Sequence, residues 1–226
     1  MKISIPSGAK YIIDKLYDNG FEAFVVGGCV RDSLMGNEPK DWDITTSASP
    51  IEVKNLFKKT VDTGIKHGTV TVLIEKIGYE VTTYRVDGEY KDSRHPEEVI
   101  FTKNLKEDLR RRDFTINAMA YNDKVGVVDE YKGMEDLHNK IIRCVGVPSE
   151  RFDEDALRIL RAIRFSAQLG FDIENNTKAA IKEYASTLKN ISAERIKVEI
   201  DKTLMSKNTI KIYDAYFLET TNVFLH

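Results

Sequence analysis

The spacing of apolar positions changes near Pro148 of the 226-residue chain. Before Pro148, alternating apolar and polar runs predict strands, and runs with an apolar residue at every third or fourth position predict helices. The predicted strands are residues 67–74, 79–85, 118–121 and 125–131, and the predicted helices are 6–19, 51–59 and 104–113. After Pro148 the spacing is helical throughout, with helices predicted at 153–168, 176–188 and 193–205 and another beginning near Asn208. We therefore predict an α/β (α+β) domain with a mixed or antiparallel sheet over residues 1–147, followed by an all-α domain over 148–226.

Residues at the ends of these runs supply start and stop signals. Ser49, Pro50 and Glu52 are typical of a helix N-cap, a first helical proline and a capping-box acid. Asn104 and Glu107 repeat the cap and the acid before a later helix. Further boundary residues are Gly20 after the first helix, Lys76-Ile77-Gly78 between the first two strands, and Ser192 before the helix at 193–205.

The most distinctive stretch runs from Phe24 to Thr45 and has the sequence FVVGGCVRDSLMGNEPKDWDIT. An apolar run enters a glycine pair, a short helical pattern follows, and a polar loop leads to Asp41 and Asp43. On an extended strand, alternate side chains project from one face, roughly 7 Å apart along the backbone. The two carboxylates are therefore placed to bind a divalent metal ion.

The glycine pair of this stretch, Gly27 and Gly28, precedes the short helical pattern. Because glycine has no side chain, a phosphate group can approach the backbone N–H groups at the start of a helix. Arg31, one turn into the helix, is placed to neutralise phosphate charge. A phosphate site is thus predicted beside a metal site.

A third carboxylate lies on the second strand of the first predicted hairpin. Alternation places Glu80, Thr82 and Tyr84 on one side of that strand. From there Glu80 can face Asp41 and Asp43 across the sheet.

The predicted helix at 153–168 carries polar residues at every third position, namely Asp155, Arg158, Arg161 and Arg164. One interpretation is a salt-bridged surface. The other is base selection, because cytosine and adenine both present an amino donor beside a ring-nitrogen acceptor. A carboxylate and a guanidinium, offered by Asp155 and Arg158, would pair with that edge and would be left unpaired by guanine or uracil.

Composition limits the mode of RNA contact, the state of the cysteines and the cellular location. The net charge of −2 excludes a generally cationic nucleic-acid coat, so any RNA contact must be focused. Cys29 and Cys144 have no metal or disulfide spacing, which favours free thiols in a reducing compartment. The N-terminal residues lack the apolar core of a signal peptide or a membrane span, so we expect a cytoplasmic protein without membrane contact.

Four motifs, taken in order, resemble one family. They are GGCVRDSLMG followed by DWD, then GYEVTTYR, RRDFTINA and the ED-x-x-R of residues 154–158. In these motifs the chain is similar to the bacterial tRNA nucleotidyltransferases, or CCA-adding enzymes, and to their close relatives the bacterial poly(A) polymerases. The resemblance covers essentially all 226 residues. It implies a nucleotidyltransferase palm followed by a helical neck.

The resemblance also implies a reaction. A CTP- and ATP-dependent enzyme would add C and A to the 3′ end of tRNA without a nucleic-acid template, using two Mg²⁺ ions and releasing pyrophosphate. Glu80 would complete the metal cluster of Asp41 and Asp43. Arg112 and Asp113 would contact the phosphate and ribose of the nucleotide.

For the helical part, the resemblance implies that Asp155 and Arg158 select the base and that Arg161 and Arg164 lie nearer the triphosphate. It leaves Arg111 available to RNA phosphate. The polar segment at 87–99 resembles the flexible loop of full CCA-adding enzymes, which favours an enzyme able to add adenosine.

Other functions remain open at this point. Within the family, the chain fits an A-adding enzyme or a poly(A) polymerase. Outside it, a nucleotidyltransferase of small molecules or a nucleotide-binding module without turnover would use the same glycine turn and acids. The family continues into body and tail domains, whereas this sequence ends at Phe224-Leu225-His226. We therefore expect a head-and-neck fragment or a short relative that holds tRNA weakly, and the sequence does not specify an oligomeric state.

Overall fold

The computed structural model describes residues 2–88 and 99–209, which form two compact units. The first unit comprises residues 2–88, 99–112 and 116–133, and the second comprises 113–115 and 134–209. Residues 134–147 thus pack with the second unit. The predicted domain boundary between residues 147 and 148 stays a prediction.

A seven-stranded sheet is the centre of the first unit. The strands of this unit are β1 (Ala23–Val26), β2 (Ile44–Thr46), β3 (Thr60–Gly64), β4 (Thr69–Ile74), β5 (Ile77–Thr83), β6 (Arg85–Asp87), β7 (Val99–Phe101), β8 (Ala120–Asn122) and β9 (Gly126–Val128). The large sheet has the order β3-β4-β5-β2-β1-β8-β9, and β6 pairs separately with β7. Only the β2–β5 pairing is parallel among these strands. The predicted mixed sheet is confirmed.

The helices of this unit are α1 (Ser7–Asp18), α2 (Gly28–Leu34), α3 (Pro50–Leu56) and α4 (Leu105–Arg110). The amphipathic pattern of α1 has its expected result, because its apolar stripe is buried and its polar residues are exposed. On β5 the buried side chains are Tyr79, Val81 and Thr83, whereas Glu80 is exposed. The sheet therefore has one covered face and one face that carries Glu80 toward solvent.

Local signals in the first unit were partly right. Ser49 and Glu52 form the predicted capping box at α3. The hairpin turn between β4 and β5 lies at Glu75 and Lys76 and not at Lys76-Ile77-Gly78, because φ values of 50° and 71° at these two residues match the twist of a two-residue hairpin. Tyr84 follows the end of β5 and is fully buried, so it does not share the exposed side of Glu80.

Three other differences have simple causes. The strand β3 was missed because three of its five residues are exposed and its pattern shows no alternation. α3 ends at Leu56 and not at Lys59, since Phe57 adopts an extended backbone. At α4, Asn104 caps the helix as predicted, but the Glu107 carboxylate accepts from the Thr102 hydroxyl at 2.5 Å and does not complete a capping box.

The second unit is mainly helical. Its helices are α5 (Gly133–Asn139, beginning at the unit boundary), α6 (Pro148–Glu154), α7 (Leu157–Leu169), α8 (Asn175–Tyr184) and α9 (Ala193–Leu204), and β10 (Ile141–Ile142) pairs in parallel with β11 (Asp172–Ile173). Leu157, Leu160 and Ile163 of α7 are buried, as their spacing predicts. α7 is thus the helix around which this unit packs.

The helix predicted at 153–168 is two helices, divided at Asp155. This residue is extended, with φ −146° and ψ 102°, and its carboxylate accepts the Leu157 N–H at 3.1 Å. An aspartate side chain that bonds a nearby N–H offers the backbone an alternative to continuing the helix. Asp153 therefore belongs to the last turn of α6 and not to the first turn of α7.

The remaining predictions concern the C-terminal part. α8 ends at Tyr184, and a 3₁₀ segment, Ala185–Asn190, replaces its predicted last turn. Ser192 precedes α9 but makes no side-chain capping bond. The helix predicted from Asn208 and most of the loop at 87–99 lie outside the described residues. Among the described helices, none has the length and apolarity to cross a bilayer.

Candidate active site

The glycine pair turns the chain from β1 into α2. Gly27 has φ 79° and ψ −128°, a conformation that residues with a side chain rarely adopt. Its N–H donates to the Met119 carbonyl at 3.0 Å, and its carbonyl accepts the Arg31 N–H at 3.1 Å. A Cβ added at Gly27 would lie 3.2 Å from Nη1 of Arg112. The Arg112 guanidinium therefore lies against the bare backbone of the turn.

Arg31 lies beside the same turn, as predicted, and is largely buried. Its Nη1 donates to Oδ1 of Asn117 at 2.7 Å, and its Nε donates to Oδ1 of Asp32 at 2.8 Å. A Cβ on Gly28 would lie 3.6 Å from its Nη2. The neighbours of Arg31 therefore fix its side chain next to the glycine pair, and Asn117 is a supporting residue that the sequence did not single out.

Asp41 and Asp43 stand immediately before β2 and not on it. The Asp43 carbonyl accepts the Val26 N–H at 3.0 Å, which ties this segment to the end of β1. The parallel register pairs Ile44 with Val81, so one step earlier Asp43 comes level with Glu80. The three carboxylates line one open pocket of about 630 Å³ in the first unit.

Burial and neighbouring charges act on Asp43. Burial and the charge of Glu80 raise the pKa of Asp43, and Asp41 raises it further, while the Arg112 guanidinium opposes the shift. Asp43 reaches the surface, yet it stands in a recess where protein atoms displace much of its water. A bound cation would reduce the repulsion between Asp43 and the like charges of Glu80 and Asp41.

The donor set suits a hard divalent cation. Magnesium binds oxygen ligands, and in nucleotide sites it uses one or two carboxylates together with phosphate oxygens and water. Across the described residues, no group of three or more histidine, cysteine, aspartate or glutamate side chains is placed to hold a metal ion, so Glu80 does not complete a three-acid metal cluster with Asp41 and Asp43 in this structure. Asp41 and Asp43, with Glu80 close to Asp43, therefore fit a metal that arrives with a phosphate ligand.

Sequence reasoning missed one buried acid of the first unit. Asp108 on α4 is completely buried and bonds both Arg111 and Arg112. Its spacing three and four residues before two arginines was a signal that could have found it, since such residues are neighbours on a helix. Arg111 is thus held by Asp108.

In the second unit, the three arginines of α7 are each paired with an acid, and Arg158 and Arg164 are buried whereas Arg161 is partly exposed. Arg161 donates to Oδ2 of Asp113 from Nε at 2.9 Å and from Nη2 at 2.5 Å. Arg164 is largely buried and donates to Glu199 on α9 at 2.5 Å. The structure therefore brings Asp113 and Arg161 together and directs Arg164 to a different acid.

Asp155 and Arg158 have separate partners in the same unit. Asp155 accepts from Arg195 at 3.1 Å with the oxygen that is not used for the Leu157 N–H. Arg158 donates to Glu154 at 2.6 Å. The acid and the arginine predicted to select a base are thus each fixed by another charged residue, of which Arg195, 40 positions away from Asp155, was not predicted.

Comparisons with known proteins match two family models in this chain. The model described as "Poly A polymerase head domain" matches residues 23–143. The model described as "Probable RNA and SrmB- binding site of polymerase A" matches residues 170–217.

Similar proteins carry one name. A CCA-adding enzyme of Lactiplantibacillus plantarum is 52% identical over 202 residues, which is 89% of this chain and 50% of that protein. A CCA-adding enzyme of Pediococcus pentosaceus is 53% identical over 197 residues, 87% of this chain and 50% of that protein. The chain thus spans about half the length of the curated relatives it matches.

Solved structures agree. The CCA-adding enzyme of Bacillus stearothermophilus in complex with CTP has a TM-score of 0.84 and 43% identity, covering 90% of this chain and 49% of that one. The Thermotoga maritima CCA-adding enzyme complexed with tRNA has a TM-score of 0.80 and 26% identity, covering 99% of this chain and 56% of that one.

Proposed function

This chain belongs to the poly(A) polymerase head-domain family, and from that premise we propose that it adds C and A to the 3′ end of tRNA without a nucleic-acid template. The family consists of nucleotidyltransferases, which generally use divalent metal ions. The observation that carries the proposal is the placement of Asp43 level with Glu80, in one pocket with Asp41. The expected cytoplasmic location stays a prediction.

Asp41 and Asp43 would hold Mg²⁺, with Glu80 as the neighbouring acid. When bound, the metal supplies an activated 3′-hydroxyl nucleophile and charge neutralisation at the phosphate and at the leaving pyrophosphate. The chain's own contribution is positioning. The Asp43 backbone is anchored to β1 and placed next to β5 by the strand register, so the position of this residue is set before any ligand arrives.

The triphosphate of ATP or CTP would lie at the glycine turn. Gly27 and Gly28 bring backbone without side chains to the beginning of α2, and Arg31 and Arg112 flank it with positive charge. Because Arg31 is fixed by Asn117 and Asp32, little side-chain entropy is lost when phosphate binds. These four residues account for phosphate affinity without reference to the base.

Base choice would belong to Asp155 and Arg158 of the second unit. An ionised carboxylate has about four acceptor sites, so Asp155 can keep its bonds to Arg195 and to the Leu157 N–H and still accept from a base amine. Arg158 donates to Glu154 and to the Arg151 carbonyl, and its guanidinium, with five N–H groups, would divide its donors between these partners and the base. Guanine or uracil would leave these charges unpaired.

Asp113, Arg161 and Arg164 complete the proposed nucleotide contacts. Asp113 would accept from the ribose and the two arginines would approach the triphosphate. Arg161 already donates two hydrogen bonds to Asp113, and Arg164 donates to Glu199. Each arginine would therefore have to divide its donors between its present partner and the nucleotide. We expect their individual contributions to be smaller than that of Arg112.

A nucleotide-addition assay tests the proposal. The protein and Mg²⁺ are incubated with tRNA transcripts ending at the discriminator base, at C or at CC, with one nucleoside triphosphate supplied at a time. Incorporation of C, C and then A supports it. Addition of A alone to the CC transcript indicates an A-adding enzyme, and long A tracts indicate a poly(A) polymerase. Nucleotide binding without turnover on any transcript contradicts the proposal, leaving a binding module or an enzyme acting on small molecules.

A further inference from the structure

Asp108 holds a network that the proposed mechanism does not use. It is completely buried on α4. Its Oδ2 accepts from the Thr45 hydroxyl at 3.1 Å and from Nη2 of Arg112 at 3.3 Å. Its Oδ1 accepts from Arg111 at 2.9 Å and from the Arg85 backbone N–H at 3.4 Å. One carboxylate thus connects β2, β6 and both arginines that follow α4.

Asp108 supplies the negative charge of this network. Burial alone would raise the pKa of Asp108, but the charges of Arg111 and Arg112 outweigh burial and lower it. The carboxylate therefore stays ionised at neutral pH and reduces the repulsion between two adjacent guanidinium groups. Asp108 therefore holds the two guanidinium groups side by side at the end of α4.

Arg112 needs an external anchor. It lies two residues beyond the end of α4, so the helix does not fix its side chain. Its Nη2 bonds Asp108, its Nη1 lies against the Gly27 turn, and its Nε is buried with no hydrogen-bond partner among the described residues. Asp108 and the Gly27 turn therefore lie next to different nitrogens of one planar guanidinium, which fixes the orientation of the plane.

We infer that Asp108 is a positioning residue, which holds the Arg112 guanidinium against the Gly27 turn for contact with the nucleotide triphosphate. This inference rests on the proposed function, because it assumes that the triphosphate lies at that turn. Asparagine would not replace Asp108, since its amide NH₂ would face guanidinium donors and its oxygen carries no full charge. Thr45 supports the same role by fixing the oxygen that Arg112 uses.

A double-mutant cycle tests the inference. ATP affinity in the presence of Mg²⁺ is measured for the wild type, Asp108→Asn, Arg112→Lys and the double variant. Asp108→Asn is expected to weaken ATP binding about tenfold, as for the loss of a charge-assisted contact. If Asp108 acts through Arg112, the same substitution made in the Arg112→Lys background has little further effect. A merely structural role predicts that the two losses multiply.

The matched control is Asp136→Asn in the second unit. Asp136 is also nearly fully buried, and its Oδ2 accepts from the Thr115 hydroxyl at 2.6 Å and from Arg143 at 3.1 Å. The Asp136→Asn variant should lose thermal stability and keep its ATP affinity. If Asp108→Asn does not fold, Thr45→Val takes its place in the cycle, with an expected weakening of about threefold for one lost neutral donor.

Each outcome has one meaning. A wild-type protein that does not bind ATP overturns the proposed function and the inference with it. A wild type that binds ATP, together with unchanged affinity in Asp108→Asn or independent losses in the cycle, overturns the inference alone. A non-additive loss of ATP affinity in the cycle, with unchanged ATP affinity in the Asp136→Asn control, supports the inference.

Discussion

Asp155 accepts a hydrogen bond from Arg195 at 3.1 Å, and Arg158 donates a hydrogen bond to Glu154. Each residue of the pair proposed to select the base therefore forms an ion pair with another residue. A surface salt bridge between Asp155 and Arg158 was the alternative interpretation of their spacing. Ion pairs are present at both residues, but with other partners, and base selection by Asp155 and Arg158 stays a prediction.

Asp155→Asn should weaken selection of C and A over U and G more than it weakens ATP affinity. The amide presents donors where the base amine requires an acceptor, and the ratio of kcat/KM for CTP over UTP should fall about tenfold. Single-nucleotide incorporation rates and ATP binding measure the two effects separately. The control is Asp153→Asn, an exposed acid of α6, which should leave both unchanged.

An unchanged CTP over UTP ratio in Asp155→Asn would mean that base choice lies elsewhere. Exchange of the two charges is a poorer test. Asp155→Arg would set one arginine against Arg195, and Arg158→Asp would set one carboxylate against Glu154, so the fold would suffer from like-charge contacts.

Asp41→Ala and Asp43→Ala should each reduce turnover by at least about a hundredfold, because metal binding supplies several kcal/mol of charge stabilisation. The fold should survive, since both side chains reach the surface. Loss of the Asp41 charge also removes one cause of the raised pKa of Asp43, so the thermal midpoint should not fall. Glu38→Ala, an exposed acid of the same loop, is the control and should retain activity.

The measurement is the initial rate of nucleotide incorporation at saturating Mg²⁺, with thermal unfolding as the test of folding. If either alanine variant retains more than about a tenth of the rate, the loss is too small for a residue that holds a catalytic metal.

Gly27→Ala should weaken ATP binding, and Gly20→Ala should not. Both glycines have positive φ, 79° and 84°, so both substitutions cost stability, by about 1 kcal/mol or more. Only at Gly27 would the new Cβ press on Arg112, 3.2 Å away, whereas nothing lies within 4 Å at Gly20. The comparison of ATP affinity with the free energy of unfolding separates the two effects. Equal ATP affinity in both variants would contradict a phosphate site at this turn.

The two thiols should be inert in the folded protein. Burial raises the pKa of Cys29 and of Cys144 to about 12, so at pH 8 only about one thiol in ten thousand is ionised. Because the folded pKa exceeds the unfolded one, the stabilisation is complete below about pH 9 and is lost as the pH rises toward 12.

Iodoacetamide at pH 8 should therefore leave both cysteines unmodified in the native protein and alkylate both in urea, as measured by mass spectrometry. Rapid native modification of either residue would show that its side chain is not buried as described. A parallel titration of unfolding between pH 8 and pH 11 should show stability falling.

Local features of this protein were predictable from sequence because their physical causes lie within a few residues. The capping box of Ser49 and Glu52 joins residues three apart, and the glycine pair at Gly27 and Gly28 supplies backbone freedom where a strand meets a helix. The buried positions of α7 follow from helical periodicity alone. Motif order and spacing also identified the family.

Only the tertiary structure decided the residues whose partners are distant in sequence. Glu80 meets Asp43 through a parallel strand register, and a one-residue slip would have turned Glu80 to the covered face. Arg195 reaches Asp155 from 40 residues away. The division of the predicted helix at Asp155 likewise depended on competition between the Asp155 side chain and the helix backbone, which apolar spacing does not report.

Asp108 shows the limit most clearly. As the fourth residue of α4, it has the sequence pattern of an exposed helical acid, with arginines three and four positions later. It is completely buried, and Thr45 of β2 and Arg85 of β6 contact it. Burial strengthens the interaction of its charge with the arginines beside it. Residue type and local spacing were determined by the sequence, whereas the solvent exclusion that gives this carboxylate its strength was decided by long-range packing.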